Sequence, residues 1–361
     1  MELVYKYFAV FVLGIVAVYF ITPLIIKLAK KWNFVDNPCA RKIHKEAVPL
    51  MGGVAVFIGF FILTVFVIVI NLHALNLRLL GYLAGAVLIV VVGLIDDRKG
   101  MQPIPKMIGQ LLSCLLFIFS NDVLGTMGPI WISLPIILIW MIGLMNAFNF
   151  LDNMDGVLAG MSGILGLGFY AISFLSKTPA IEPLTNIIGL MSMAFAGSVL
   201  GFLPFNFNPA KIFLGDAGSM FIGYFLSTMG ILSGNLMSTS KGNHIWLLIP
   251  VLLLSFAIFD ITLVSYTRRR DGRRISQGGK DHSTHRIGNA TGSTKVTAVF
   301  VYIINIILVL ATILVLQMDS EILLIFSTLL FAIVFIFLGK KLDKIPVVIT
   351  KNQLKVTECK E

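Results

Sequence analysis

The sequence predicts an all-α fold: a polytopic integral membrane protein with about eleven transmembrane helices. Three observations support this: an apolar composition, hydrophobic stretches of membrane-spanning length, and basic residues concentrated in alternate breaks between them. Of the 361 residues, 57% are hydrophobic and 13% are charged, whereas an average soluble domain is about 45–50% apolar and about 25% charged. The core of one water-soluble domain cannot bury so many apolar residues, so the bilayer is the expected solvent.

Eleven hydrophobic stretches of roughly 17 to 25 residues follow one another, and that length crosses a hydrocarbon core of about 30 Å as a helix. They are Leu3–Ala29, Leu50–Asn71, Leu77–Ile95, Ile104–Ser120, Pro129–Asn146, Val157–Leu175, Asn186–Leu203, Ser219–Leu232, Ile245–Tyr266, Val296–Met318 and Ile322–Gly339. The first lacks a cleavage site and is expected to be an anchor. Residues 1–339 are therefore expected to form one transmembrane catalytic domain, with breaks at about 30–49, 96–103, 147–156, 204–218 and 267–295, followed by a tail, 340–361.

The distribution of basic residues predicts the orientation. With the first break placed inside and the others alternating, 24 of the 28 Lys and Arg residues fall on the inside. Cytoplasmic loops collect these residues, so the amino terminus is expected outside and the tail and the polar breaks above in the cytoplasm. The net charge of +10 then reflects topology, not a nucleic-acid partner. The three scattered cysteines suggest neither a disulfide framework nor a zinc site.

Two adjacent carboxylates, Asp96 and Asp97, end the third hydrophobic stretch. Such a pair can hold a divalent cation, or divide the roles of cation contact and base, because neighbouring like charges raise one pKa. The alternative is a solvated loop in which Arg98 and Lys99 are the partners. Because these and the other polar-break carboxylates lie near one surface, they favour an enzyme over an ion-driven transporter, which would place charges at the membrane midplane.

A polar ladder follows the fifth stretch. Asn146, Asn149, Asp152 and Asp155 recur every third residue, so on a helical or tight 3₁₀-like path they share one face. A row of polar side chains at the end of an apolar membrane helix costs free energy, which favours a functional role. Helix capping by Asp and Asn is the alternative.

The next break contains Asn206 and then Asp216 between Gly215 and Gly218. The glycines permit a tight backbone that leaves the carboxylate projecting at the mouth of the following helix. Asp216 is also a plausible N-cap, and the two interpretations are compatible.

Two basic breaks complete the pattern. The segment 268–286 contains five arginines before His282, His285 and Arg286, and these groups suit a phosphate-rich ligand. Anionic lipid at the membrane surface is an alternative for the arginines. The first break contains Lys42 and His44 ahead of the pair Gly52-Gly53, which would allow close approach of the backbone to a ligand.

Taken together, these motifs resemble the polyprenyl-phosphate N-acetylhexosamine-1-phosphate transferase family, glycosyltransferase family 4. The resemblance runs from about Arg41 to Arg286 and rests on five motifs in order: Arg-Lys-Ile-His with Pro-x-x-Gly-Gly, Asp-Asp, Asn-x-x-Asn-x-x-Asp-x-x-Asp-Gly, Phe-Asn-x-x-Pro-Ala with Phe-x-Gly-Asp-x-Gly-Ser, and the basic histidine loop. It implies transfer of a sugar-1-phosphate, with N-acetylglucosamine-1-phosphate expected, from a UDP-sugar to undecaprenyl (polyprenyl) phosphate, with release of UMP. It also implies Mg²⁺, with Mn²⁺ as a substitute, and a bacterial plasma membrane location; a homodimer is compatible with it.

The resemblance also implies roles for individual residues. Asp96, Asp97 and Asp216 would be catalytic, with Mg²⁺ held by Asp216 and Asp152. Contacts to the nucleotide-sugar would come from Asn149, Asp152, Asp155, Asn206, His282, His285 and Arg286. Contacts to the lipid phosphate would come from Lys42, His44 and Asp96, while Asp260, Gly215 and Gly218 would support the site.

The sequence departs from the family pattern in three places. Arg98 follows the Asp pair instead of a third Asp, Asn153 replaces a frequent Gly, and the last loop reads His-Ser-Thr-His-Arg instead of three consecutive histidines. The last departure favours a simple UDP-N-acetylhexosamine over the muramyl-pentapeptide nucleotide. A phospho-N-acetylmuramoyl-pentapeptide transferase, a transporter and a non-catalytic scaffold remain the alternatives.

Overall fold

The computed structural model describes residues 2–36, 47–70, 76–121, 123–125, 128–176, 182–276 and 279–347. It is an all-α bundle with one short hairpin, β1 (Val35–Asp36) and β2 (Val48–Pro49), whose strands pair antiparallel. The first eight helices are α1 (Glu2–Lys31), α2 (Gly52–Ile70), α3 (Leu77–Lys99), α4 (Pro103–Ser120), α5 (Ile130–Leu151), α6 (Val157–Leu175), α7 (Glu182–Asn206) and α8 (Gly215–Lys241). A 3₁₀ turn (His244–Leu247) precedes α9 (Leu248–Leu253), α10 (Ser255–Arg270), α11 (Ser283–Thr291), α12 (Thr294–Met318) and α13 (Glu321–Asp343).

The predicted polytopic membrane fold is confirmed. In the described part of the chain, nine helices are long and apolar enough to span a membrane. The ninth predicted stretch is broken: the segments His244–Leu253 and Ser255–Arg270 meet at a bend of 73°, and counted as one span they make ten. α2 coincides with the second predicted stretch but is a shorter apolar helix.

The polar breaks are shorter than the sequence predicted. Asp96 and Asp97 lie within α3, α5 continues five residues beyond Asn146, and α8 begins at Gly215, four residues before the predicted Ser219. The hydrophobic pattern ends at the edge of the apolar region, whereas backbone hydrogen bonding continues beyond it. Several polar site residues are therefore helical.

The bundle is built around α8. In its most apolar stretch 89% of the residues are buried, against 28% for α12 and 22% for α13, whose apolar side chains face outward as expected for lipid contact. α3, α5 and α2 pack directly against α8. Successive spanning helices alternate in direction, so the ends of α3, α5 and α7 meet the beginnings of α4, α6 and α8 at one end of the bundle.

Candidate active site

Asp216, the expected metal ligand, lies in the first turn of α8 rather than at its N-cap. Its side chain is one-third exposed. Asn149 of α5 donates from Nδ2 to Asp216 Oδ1 at 2.6 Å and to Ser219 Oγ at 2.9 Å. The polar ladder therefore meets the Gly-Asp motif directly, which ties the end of α5 to the start of α8.

Lys106, in the first turn of α4, is a site residue that the sequence did not predict. Its ammonium group contacts Asp96 Oδ2 at 2.8 Å, Asp216 Oδ2 at 3.0 Å and Asn149 Oδ1 at 3.3 Å. In the sequence, this lysine contributes only to the predicted topology. Its position ten residues after Asp96, at the start of an apolar helix, was the available signal. The ammonium charge offsets the charges of the two carboxylates, and lysine is a common partner of phosphate in proteins.

The two adjacent carboxylates of α3 have separate environments. Asp96 accepts from Met101 N at 2.6 Å and pairs with Lys106. Asp97 accepts from the backbone N–H groups of Asp216 at 2.8 Å and Ala217 at 3.1 Å. Asp96 thus belongs to the charged cluster, whereas Asp97 contacts the beginning of α8.

Glycines bring the backbone at the start of α2 close to the backbone at the start of α8. Gly215 has φ of +75°, in the left-handed region, and a Cβ there would lie 2.6 Å from Leu50 O and 2.7 Å from Asp97 Oδ2. A Cβ on Gly218 would lie 2.6 Å from Gly53 Cα. The Gly52-Gly53 pair was expected to approach a ligand, but in the structure it approaches α8, because Gly53 N donates to Leu214 O at 2.8 Å.

Asn206 and Asp155 hold the connection between α7 and α8. Asn206 accepts from Gly156 N at 3.2 Å and donates to Ile212 O at 3.0 Å. One carboxylate oxygen of Asp155 accepts from Asn208 Nδ2 at 2.9 Å and Ala210 N at 3.0 Å. These bonds fix the loop that leads into Asp216.

The histidine loop is fixed by a fully buried carboxylate, Asp260 of α10. Asp260 contacts His282 Nδ1 at 3.1 Å and accepts from Ser283 N at 2.8 Å and Ser283 Oγ at 2.5 Å. His282 is only 5% exposed and packs edge-on against Phe150. This histidine is therefore held inside the protein.

Two buried arginines complete the support of this loop. Arg268 binds Asp281 through two bonds, at 3.0 and 2.7 Å, and burial alone would raise the pKa of Asp281, but Arg268 holds it down at about 2. Arg286 is 2% exposed and donates to Asp281 O and Leu342 O, both at 3.0 Å. Both arginines therefore bind protein atoms.

These elements surround a cavity of about 520 Å³. The predicted site residues that line it are Asp97, Asp152, Asp155, Asn206, Gly215, Asp216 and His285. The lining residues that the prediction omitted include Asp36, Asn153, Asn208, Lys280 and Thr294. Asp96, Asn149, Gly218, Asp260, His282 and Arg286 do not line it, and Lys42 and His44 are outside the described residues.

Two groups on the cavity wall have strongly shifted pKa values. Burial, together with the charges of Asp216 and Asp155, raises the pKa of Asp152 to about 8. Burial, with the neighbouring His282, lowers the pKa of His285 to about 4, and His285 Nδ1 has no hydrogen-bond partner in the described part of the chain. The wall thus combines crowded carboxylates with a neutral imidazole.

The donor set suits a hard cation that completes its coordination with substrate. The described residues contain no group of three His, Cys, Asp or Glu side chains assembled to hold a metal. Mg²⁺ is commonly bound by one or two carboxylates plus substrate phosphates and water. Asp216 and Asp152, crowded carboxylates on one cavity wall, fit that pattern.

Fold and site together define a polytopic membrane protein with an acidic, phosphate-compatible pocket at one end of its helices. The sequence model for glycosyl transferase family 4 matches residues 79–234. A protein of Bacillus subtilis (strain 168) named "Probable undecaprenyl-phosphate N-acetylglucosaminyl 1-phosphate transferase" is 32% identical over 82% of this chain and 81% of its own length. The chain therefore belongs to glycosyl transferase family 4.

Two further proteins that are similar to this chain carry different names. A decaprenyl-phosphate N-acetylglucosaminephosphotransferase of Mycobacterium leprae is 30% identical over 79% of this chain and 77% of its own length. A phospho-N-acetylmuramoyl-pentapeptide-transferase of Prochlorococcus marinus is 28% identical over 69% of this chain and 74% of its own length. Both names describe phosphotransferases.

Proposed function

We propose that this protein transfers N-acetylglucosamine-1-phosphate from UDP-N-acetylglucosamine to undecaprenyl phosphate, releasing UMP and forming a lipid-linked diphospho-sugar. The observation that carries the proposal is the cluster of Lys106, Asp96, Asn149 and Asp216 at the ends of membrane-spanning helices, beside a 520 Å³ cavity. A lipid phosphate can reach such a site from the bilayer and a nucleotide-sugar from water. The names of the relatives support the same donor and the same class of acceptor.

Asp216 and Asp152 would hold Mg²⁺, with Mn²⁺ as a substitute. When bound, the ion would neutralise pyrophosphate charge and polarise the phosphorus that is attacked. Lys106 is placed to stabilise a phosphate oxygen and to keep the carboxylates of Asp96 and Asp216 from repelling the substrates. His285, kept neutral by burial, can donate or accept a hydrogen bond at the sugar or its phosphate without adding charge.

The reaction forms a bond between an oxygen of the lipid phosphate and the sugar-linked phosphorus, and breaks the bond from that phosphorus to UMP. A phosphate monoester, with a second pKa of about 6, is largely ionised at neutral pH, so positioning and charge neutralisation matter more than a base. Asp96 is the candidate base, and Lys106 would keep it ionised through their contact at 2.8 Å.

The site would face the cytoplasm, with the amino terminus outside. The basic residues that predict this orientation lie at the same end of the bundle as the cavity, including Arg268 in the last turn of α10 and Lys340 near the end of α13. A UDP-sugar would thus have direct access from the cytoplasm.

The direct test is UMP release and lipid-linked product from detergent-purified protein, undecaprenyl phosphate, Mg²⁺ and each UDP-sugar in turn. Turnover with UDP-N-acetylglucosamine is expected. Turnover only with the muramyl-pentapeptide nucleotide would assign the chain to the alternative function instead. No UMP from any donor, with folded protein, would contradict the proposal and return attention to a transporter or scaffold.

Asp216→Asn should reduce turnover by about 1000-fold or more, because it removes the charge at the proposed metal site. UMP release over a range of Mg²⁺ concentrations is the measurement. Asp319→Asn is the control, since Asp319 pairs with Lys241 at the opposite end of the bundle and should leave turnover unchanged. Near wild-type turnover of Asp216→Asn at limiting Mg²⁺ would remove Asp216 from the mechanism.

A further inference from the structure

The carboxylate of Asp97 lines the cavity wall, yet both of its oxygens are engaged by backbone. Oδ1 accepts from Asp216 N at 2.8 Å and Oδ2 from Ala217 N at 3.1 Å. These are among the first N–H groups of α8, which have no partner inside their own helix. Leu214, at the N-cap position, offers no side-chain cap. The cap of α8 is therefore supplied by α3.

Asp96 cannot share this role. Successive side chains of an α-helix diverge by about 100°, so two adjacent residues face different neighbours. Asp96 points to Lys106 and Met101, whereas Asp97 points to the start of α8. Adjacent carboxylates that look equivalent in sequence are thus separated by helix geometry.

The backbone around this cap allows little movement. A Cβ on Gly93, one turn before Asp97, would overlap the backbone of Ala217 and lie 2.7 Å from Asp216 C. Gly215 adopts a left-handed conformation, and a Cβ added there would lie 2.7 Å from Asp97 Oδ2. The start of α8 is consequently packed closely against the backbone of α3 at Gly93 and against the Asp97 side chain at Gly215.

We propose that Asp97 is a positioning residue: it fixes the first turn of α8 and thereby the direction of the Asp216 carboxylate, and it is neither a metal ligand nor a base. A carboxyl group in this position satisfies two N–H groups that would otherwise be unpaired at the start of the helix. The kinetic part of this inference rests on the proposed function, while the structural part does not.

The structural part is tested by hydrogen–deuterium exchange of the full-length protein in detergent. Asp97→Ala should speed exchange of the Asp216 and Ala217 amides by about tenfold or more, because a capping bond is lost at each amide. Asp97→Asn, which keeps one acceptor, should give an intermediate rate, and Asp96→Asn is the adjacent control that should leave these amides unchanged. Unchanged exchange in Asp97→Ala would overturn the proposal, whether or not the protein has activity.

The kinetic part separates positioning from direct chemistry. Asp97→Asn should lower kcat by about tenfold and Asp97→Ala by about 100-fold. In Asp97→Asn, two quantities should stay within about twofold of wild type: the apparent KM for UDP-N-acetylglucosamine, and the Mn²⁺ dissociation constant measured by electron paramagnetic resonance. The kcat–pH profile should keep its shape. Loss of Mn²⁺ binding would make Asp97 a metal ligand, loss of the acidic limb of the profile would make it a base, and an unchanged kcat in Asp97→Ala would leave it no positioning role.

A wild-type protein that binds Mn²⁺ but releases no UMP would contradict the proposed function alone. The exchange rates of the Asp97 variants would still decide the role of the cap in that case. The two failures are therefore distinguishable.

Discussion

The helices α8 and α11 begin in the same way but are held by different forces. Each carries a residue that lines the cavity, Asp216 in α8 and His285 in α11. Each receives a capping carboxylate from another helix: Asp97 accepts from Asp216 N, and Asp260 accepts from Ser283 N. The same kind of cap, a carboxyl group from a neighbouring helix, thus positions both parts of the site.

The surroundings of the two caps differ. Around α8, glycines bring α2 and α3 against the helix backbone, so shape complementarity fixes its position. Around α11, buried charges do so: Arg268 pairs with Asp281, and Arg286 reaches Asp281 O and Asp343. The α8 end should therefore respond to added volume and the α11 end to altered charge or pH.

Gly93→Ala is the strongest test at the α8 end. The new methyl group would overlap the backbone of Ala217, which cannot move without displacing Asp216. We expect turnover to fall by about 100-fold and stability by about 1–3 kcal/mol, as for other overpacked sites. UMP release and thermal unfolding in detergent are the measurements.

Gly143→Ala is the matched control, because a Cβ there meets nothing within 4 Å. This control should leave turnover unchanged and stability unchanged or slightly raised, since alanine favours the helix. Equal effects of the two substitutions would show that packing at α3 and α8 has no special role.

Asp260→Asn should have a smaller effect at the α11 end. The change keeps the volume but weakens the bonds to His282 and Ser283, so His285 is held less firmly. We expect about a tenfold loss of kcat/KM, mostly through a higher KM for the nucleotide-sugar. Asp271→Asn, a change of the same type in an exposed residue, should retain wild-type kinetics. A loss in kcat alone would place Asp260 with the α8 end.

The sequence predicted the spans and many cavity residues because hydrophobic length and polar interruption are local signals. The Asp-Asp and Gly-Asp motifs do meet, as their shared end of the bundle required. The different duties of Asp96 and Asp97 could not be predicted, since they depend on which neighbouring helix each faces. Lys106 escaped notice for a similar reason: its contacts lie 10, 43 and 110 residues away in the chain.

The smallest expected effect is the pH dependence contributed by His285. Its pKa of about 4 lies below the usual value of about 6.5 for an unfolded chain. Between these values the unfolded chain binds more protons than the folded protein, so stability should fall as pH falls from 6.5 towards 4. His285→Gln removes this contribution. Between pH 7 and pH 5, the fall in melting temperature of this variant should be smaller than that of wild type by about 2 °C or more.

Thermal unfolding in detergent at the two pH values measures the difference, with His244→Gln as the control at the exposed, opposite end of the bundle. Gly93→Ala should leave the pH dependence as it is in wild type, because it acts through volume. If His285→Gln and wild type lose the same stability on acidification, charge is not what distinguishes the α11 end from the α8 end. If they differ as expected, acid should loosen the histidine loop before it disturbs the packed start of α8.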